Sequence, residues 1–149
     1  MNFSLEQLNQ MGAGYLPGLL GIEFLEAEEG RIVSRLEVEQ RHHAPNGYLH
    51  AATVIALADT SSGYGCRLSL PPDATGFTTV ELKSNFTGTV RDGGIRCEAR
   101  LAHAGRSTQV WDATVSSEAS GRPIALFRCT QLVLYHRGEG RGSASRVRP

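Results

Sequence analysis

The chain has 149 residues, 40% hydrophobic and 20% charged, the composition of one globular domain with enough apolar material for a core. Its 15 basic and 15 acidic residues cancel at a pI of about 7.0, which argues against a basic nucleic-acid groove. No stretch approaches transmembrane length, and the early acid in "MNFSLEQLNQMG" argues against a signal peptide.

The first predicted element is a short helix over 4–12, because Ser4 and Gln7 form a capping box and Leu5, Leu8 and Met11 follow at helical spacing. A hairpin comes next: two strand-like runs break at Glu28-Glu29-Gly30, and in the second Ile32, Ser34, Leu36 and Val38 share a face. Turn residues Pro45, Asn46 and Gly47 then open a helical pattern from Leu49, with Val54, Leu57, Ala58 and Ser61 along one side. This helix is rich in Ala, Ser and Gly and poor in large polar residues, so it is expected to be wrapped by protein nearly all round. One carboxylate, Asp59, stands in it. "LPPDATG" ends it, and four strand-like runs follow: "FTTVELKSNFTGTV", "IRCEARLAHAG", "STQVWDATVSS" and "IALFRCTQLVLY", separated by short turns. Strands on both sides of one buried helix give an α+β class, an antiparallel sheet wrapped around one long central helix. The single domain is expected over 1–135. The remainder, 136–149, carries four arginines against one glutamate in a Gly- and Ser-rich context and reads as a disordered basic tail.

Cys66, Cys97 and Cys129 are odd in number and lack a Cys-x-x-Cys pair, which fits neither a disulfide framework nor a zinc ribbon and suggests reduced thiols in a cytoplasmic setting. His42, His43 and His50 have no acid among them, and adjacent histidines on a strand do not face one ion, so no metal is expected. The spacing of the glycines matches no dinucleotide or phosphate-loop fingerprint.

"GYLHAATVIALADTSSGYGC" resembles the signature of the hotdog-fold thioesterases, in particular the PaaI-like and 4-hydroxybenzoyl-CoA thioesterase group. The resemblance continues through "VELKSNFTGTVRDGG", "AHAGRSTQVWDATVSS" and "GRPIALFRCTQLVL", and spans roughly residues 13 to 135. Four positions depart from the group's pattern. Ala51 and Ala52 stand where the group has paired glycines, Ala44 where some members have Gln or Asn, and Gly63 where some have Ser or Thr. The resemblance implies a hotdog fold, an acyl-CoA thioesterase acting on an aromatic or medium-size acyl group, and a homodimer or homotetramer (a dimer of dimers). No cofactor is implied beyond the coenzyme A carried by the substrate, and neither nucleic acid nor membrane is an expected partner.

Thioester cleavage needs an oxyanion donor and a nucleophile or base. The first-turn N–H of Ala51 suits the former, being an orphan amide at the positive end of a helix. Asp59 suits the latter, as a nucleophile or as a base activating water; Thr60, Ser61 and Ser62 are hydrogen-bonding neighbours that also allow a structural role. Ser62 can substitute for the side chain missing at Gly63. His50, preceding the oxyanion amide, is read either as orienting the Asn46–Gly47 loop, as reaching the ligand near sulfur, or as structural. Ala51 and Asp59 lie eight residues apart, about 12 Å along a helix, too far for one carbonyl to reach both. If both serve one thioester they come from two chains, and the site lies at a dimer interface. Catalytic candidates are thus Asp59, Ala51, His50 and Asn46, with Ala52 and Ser62 near the substrate. Arg106, Ser107 and Thr108 form a turn suited to coenzyme A phosphates, with Lys83, Arg91 and a tail arginine as secondary candidates. Competing readings are a non-catalytic acyl-CoA-binding hotdog protein, which the alanine replacements favour, and a hotdog dehydratase or hydratase, whose motifs are missing.

Overall fold

A computed structural model describes residues 3–136; the expected basic tail lies, from 137 on, outside the described residues. Helix α1 runs Leu5–Met11 and carries the expected capping box: Gln7 N–H donates to Ser4 Oγ at 3.2 Å and Ser4 N–H to Gln7 Oε1 at 2.9 Å. A second helix, α2 at Leu16–Leu20, was not expected from the sequence. Five residues show no helical period, and its fold depends on close packing: a Cβ at Gly18 would stand 2.6 Å from the Gly12 carbonyl oxygen. Strands β1 (Glu23–Glu28) and β2 (Arg31–Glu37) form the predicted hairpin, turned at Gly30 with φ +77°.

The long helix, α3, covers Ala51–Leu68. It starts two residues later than the apolar pattern, because Leu49 pairs with His43 in an isolated bridge. Strands β3 (Ala74–Phe86), β4 (Gly94–Ala104), β5 (Thr108–Ser117) and β6 (Pro123–Tyr135) complete one antiparallel sheet of order β1-β2-β4-β5-β6-β3. The sheet packs its inner face on α3, the hotdog arrangement that the resemblance implies. Leu57, Ile32, Leu36, Ile95, Trp111 and Val115 are fully buried between the two layers, each such aliphatic side chain contributing about 1.5–3 kcal/mol.

The contact is closest at Gly65, where a Cβ would lie 2.5 Å from the Trp111 ring. Trp111 is itself fixed, its Nε1–H donating to Gln109 Oε1 at 3.0 Å. Burial along α3 alternates two residues in, two residues out, and here the structure corrects the sequence reading. Thr53, Val54, Leu57, Ala58, Ser61, Ser62, Gly65 and Cys66 are buried, but Ala51 and Ala52 are exposed, and Ile55, Ala56, Asp59, Thr60, Gly63 and Tyr64 are half-exposed. Within one chain the helix is therefore wrapped on one side only. Small residues had suggested close cover all round; they also suit a flank that a second body approaches. Edge strand β3 borders the same side, with Val80 55%, Leu82 40% and Phe86 47% exposed. No helix among the described residues is long and apolar enough to cross a membrane.

Candidate active site on the open flank of the central helix

The residues singled out from the sequence fall into three groups, two along α3 and one in the turn between β4 and β5. At its N-terminal end, His50 is the N-cap, with Nδ1 accepting the Ala52 N–H at 2.9 Å. A ring nitrogen that accepts is unprotonated, so the neutral ring carries its hydrogen on Nε2. This commits the Ala52 amide to the cap. Among the described residues the Ala51 N–H has no acceptor, as expected for the first amide of a helix. Beside it opens a mainly apolar cavity of about 180 Å³, lined by Leu49, Ala51, Val54, Phe86, Gly88, Thr89 and Ile124. Asn46 is exposed in the preceding loop and its Oδ1 accepts from Tyr48 N–H at 3.1 Å, a local turn that fixes the loop. That loop is tied to the segment after β3 through His43 Nε2, 2.6 Å from the Arg91 carbonyl, and through the Arg91 guanidinium, 4.3 Å from the Tyr48 ring centroid.

The middle group centres on Asp59. It sits half-buried where α3 meets β3, and the packing shows why. Gly63, one turn on, faces the Phe77 ring, 3.5 Å from where its Cβ would be; one turn back along the helix and two residues on along the strand are nearly equal steps, which sets Asp59 against Thr79. Asp59 Oδ1 is buried and has no hydrogen-bond partner among the described residues. Burial raises its carboxyl above the ordinary value, and hydrogen bonding from Thr79 is the smaller, opposing influence. Thr79 is weak in that role because its hydroxyl points to Gln131 Oε1 at 2.9 Å. Ser62 is fully buried on the sheet side of this position, its Oγ also without a partner. A carboxylate so placed can accept a proton or attack a carbonyl, with little to quench it.

The third group lies at the opposite end. Arg106 pairs with Asp73 at 2.9 Å, lies 4.7 Å from the Tyr135 ring centroid, and accepts the Tyr135 hydroxyl on its carbonyl at 2.5 Å. Its side chain is still 73% exposed. Ser107 accepts Val133 N–H on its carbonyl and Thr108 that of Gly105, so the turn is rigid. The sequence reading missed Thr79 and Gln131. The available signal was a glutamine at an inward position of β6, in line with Phe127, Cys129 and Val133. His42, weighed as a ligand, has Nδ1 accepting from Glu39 N–H and Nε2 against the Leu20 carbonyl, both at 2.9 Å. All three cysteines are free and buried.

Comparison with known proteins agrees with the hotdog fold and with thioester hydrolysis. The sequence model of the family described as the thioesterase superfamily matches residues 46–124. The chain is 33% identical over 114 residues, 76% of its length and 91% of the relative's, to the 1,4-dihydroxy-2-naphthoyl-CoA hydrolase of Listeria monocytogenes. It is 28% identical over 133 residues, 89% of its length and 96% of the relative's, to the proofreading thioesterase EntH of Cronobacter turicensis. Among solved structures, a thioesterase from Haemophilus influenzae superposes with a TM-score of 0.86 at 27% identity, covering 95% of this chain and 97% of that one. The match across the central helix and most of the sheet places the chain in the thioesterase superfamily, as a hotdog-fold thioester hydrolase.

Proposed function

We propose that the protein hydrolyses acyl-CoA thioesters to free acid and coenzyme A, with Asp59 as nucleophile or general base and the Ala51 N–H as oxyanion donor. The observation that carries this reading is the buried, unpartnered Asp59 oxygen on a flank of α3 that the chain's own sheet leaves open. A charge held in that setting without a partner costs stability, a cost that is characteristic of functional sites. The Ala51 amide is free of internal partners but stands about 12 Å along the helix axis from Asp59. Both serve one carbonyl only if they come from two copies of the chain, so the working unit is a homodimer, or a tetramer made of two such dimers. The open flank of α3 and the apolar β3 edge are the surfaces that such a pairing covers.

Apart from Thr89, the cavity beside Ala51 is walled mainly by aliphatic and aromatic carbon, which suits an aromatic or medium-size acyl group. At the far end, Arg106 with Ser107 and Thr108 is the candidate contact for coenzyme A phosphates. His50 acts by holding the first helical turn in place. Asn46 acts by fixing the loop that enters the helix.

Thiol release from benzoyl-CoA, 1,4-dihydroxy-2-naphthoyl-CoA and hexanoyl-CoA tests the reading. The expected result is turnover of at least one aromatic ester, with kcat/KM separating the ring-bearing substrates from the aliphatic one. Failure to release thiol from any coenzyme A ester sinks the proposal.

A further inference from the structure

The Gln131 carboxamide is fully buried on the inner face of β6, and both of its ends are occupied. Its Nε2 donates to Cys129 Sγ at 3.4 Å, and its Oε1 accepts the Thr79 hydroxyl at 2.9 Å. Thr79 is the β3 residue set against Asp59 by the packing of Gly63 on Phe77, and a hydroxyl has a single proton to give. If that proton turned to the carboxylate, the amide oxygen would be left buried without a donor, which is unfavourable. The amide and the carboxylate therefore compete for one hydrogen, and in the structure the amide holds it.

We propose that Gln131 is a positioning residue for Asp59: it keeps the Thr79 proton away from the carboxylate, so that Asp59 retains its basicity. The role of this basicity in thioester cleavage rests on the assignment of Asp59 above. The coupling itself stands on the register Thr79↔Gln131 across β3 and β6.

Few other groups titrate against Asp59. Cys129 approaches from β6, while Cys97 on β4 faces Ser61 and Ser34 and Cys66 lies on α3; burial pushes these thiols up to about 11, about 12 and about 12, so all three stay neutral through the acid range. Burial also raises Tyr64, five residues along α3 and stacked on Phe24. The inward side chains of β1, β2 and β5 and the whole of α2 are non-ionisable, and Glu81 and Lys83 occupy the outer face of β3. His50 caps the helix more than two turns away.

The chain has four aspartates, so the Asp59 carboxyl can be followed by carbon-13 NMR in aspartate-labelled full-length protein, with Asp59→Asn giving its assignment. Gln131→Leu frees the Thr79 hydroxyl to donate to the carboxylate and moves the Asp59 titration to lower pH. Thr79→Val removes a hydroxyl already committed to the amide, so it leaves the titration near the parent, as does Thr79→Ser. Adding Gln131→Leu to Thr79→Val produces no further shift, because the effect passes through Thr79 alone. An absent or upward shift in Gln131→Leu, or the same shift with and without Thr79, overturns the proposal. If Gln131→Leu does not fold, Gln131→Met keeps the side-chain length and carries the same readout. The acid limb of kcat/KM for benzoyl-CoA follows the same order. If NMR shows the order but no coenzyme A ester is cleaved, the coupling stands and the assigned reaction fails.

Discussion

Asp59 holds a carboxyl half out of water, and the side chain that acts on it, Thr79, carries no charge. Burial favours its neutral form, so the folded-state pKa is raised above the unfolded one. Between those two values the folded chain binds more protons than the unfolded chain, and stability falls as pH rises through that window. Above it the penalty is fully present; below the unfolded pKa it is absent. Asp59→Asn removes the charge while keeping the shape. At neutral pH it should melt at or above the parent's Tm, with the gap closing in acid, while kcat drops by about 10²–10⁴, the scale of a lost catalytic base. The same shift places the acid limb of the parent's kcat/KM profile above the ordinary aspartate range. Melting and turnover measured on one preparation decide the matter: a lowered neutral-pH Tm with near-parental turnover makes Asp59 structural.

At the scale of the element, α3 has two glycines with opposite demands. Gly65 presses on a tryptophan that hydrogen bonding to Gln109 prevents from yielding, so Gly65→Ala overpacks the core. The expected cost is about 1–3 kcal/mol, more than the roughly 1 kcal/mol that alanine gains in helix propensity. Gly63→Ala meets Phe77 at an ordinary contact distance and keeps that gain. Thermal melts should therefore show Gly65→Ala below the parent and Gly63→Ala at or above it; the reverse order would refute the packing argument. These demands explain what the sequence reveals and what it hides. The alternation in β5 and β6, the Ser4 capping box and the apolar spacing of Val54, Leu57 and Ala58 are local signals, and they place α1, α3, β5 and β6. Helix α2 is too short to show a period. The cover on α3 depends on which sheet face reaches it, so small residues alone do not tell a buried flank from an open one. The site divides in the same way. Asp59 and Ala51 stand out by chemistry and spacing within one helix, whereas Thr79 and Gln131 meet across 52 residues through a register that a bulge near Val80 shifts. Nothing local fixes that pairing.

At the scale of the whole molecule, the separation of Ala51 and Asp59 makes the proposed site a property of two chains, and proline at position 51 provides a direct test. Ala51 is the first residue of α3, where an N–H is unpaired and proline fits the helix. His50 before it is extended, at φ −70° and ψ 134°, as a residue preceding proline must be. Ala51→Pro thus removes the proposed oxyanion donor with little disturbance to the fold. Alone, Ala51→Pro and Asp59→Asn should each form folded assemblies with little turnover. When the two variants are unfolded together and refolded as a mixture, each mixed dimer combines the intact Ala51 of one chain with the intact Asp59 of the other at one of its two sites. With random pairing at equal amounts, half of the dimers are mixed, and activity should return to about a quarter of the parent's per site. If both groups served a carbonyl from within one chain, no mixture would regain activity, because every chain carries one defect. A mixture that stays as inactive as its components, with mixed dimers present by mass spectrometry, would remove the shared site and with it the reason for the open flank of α3.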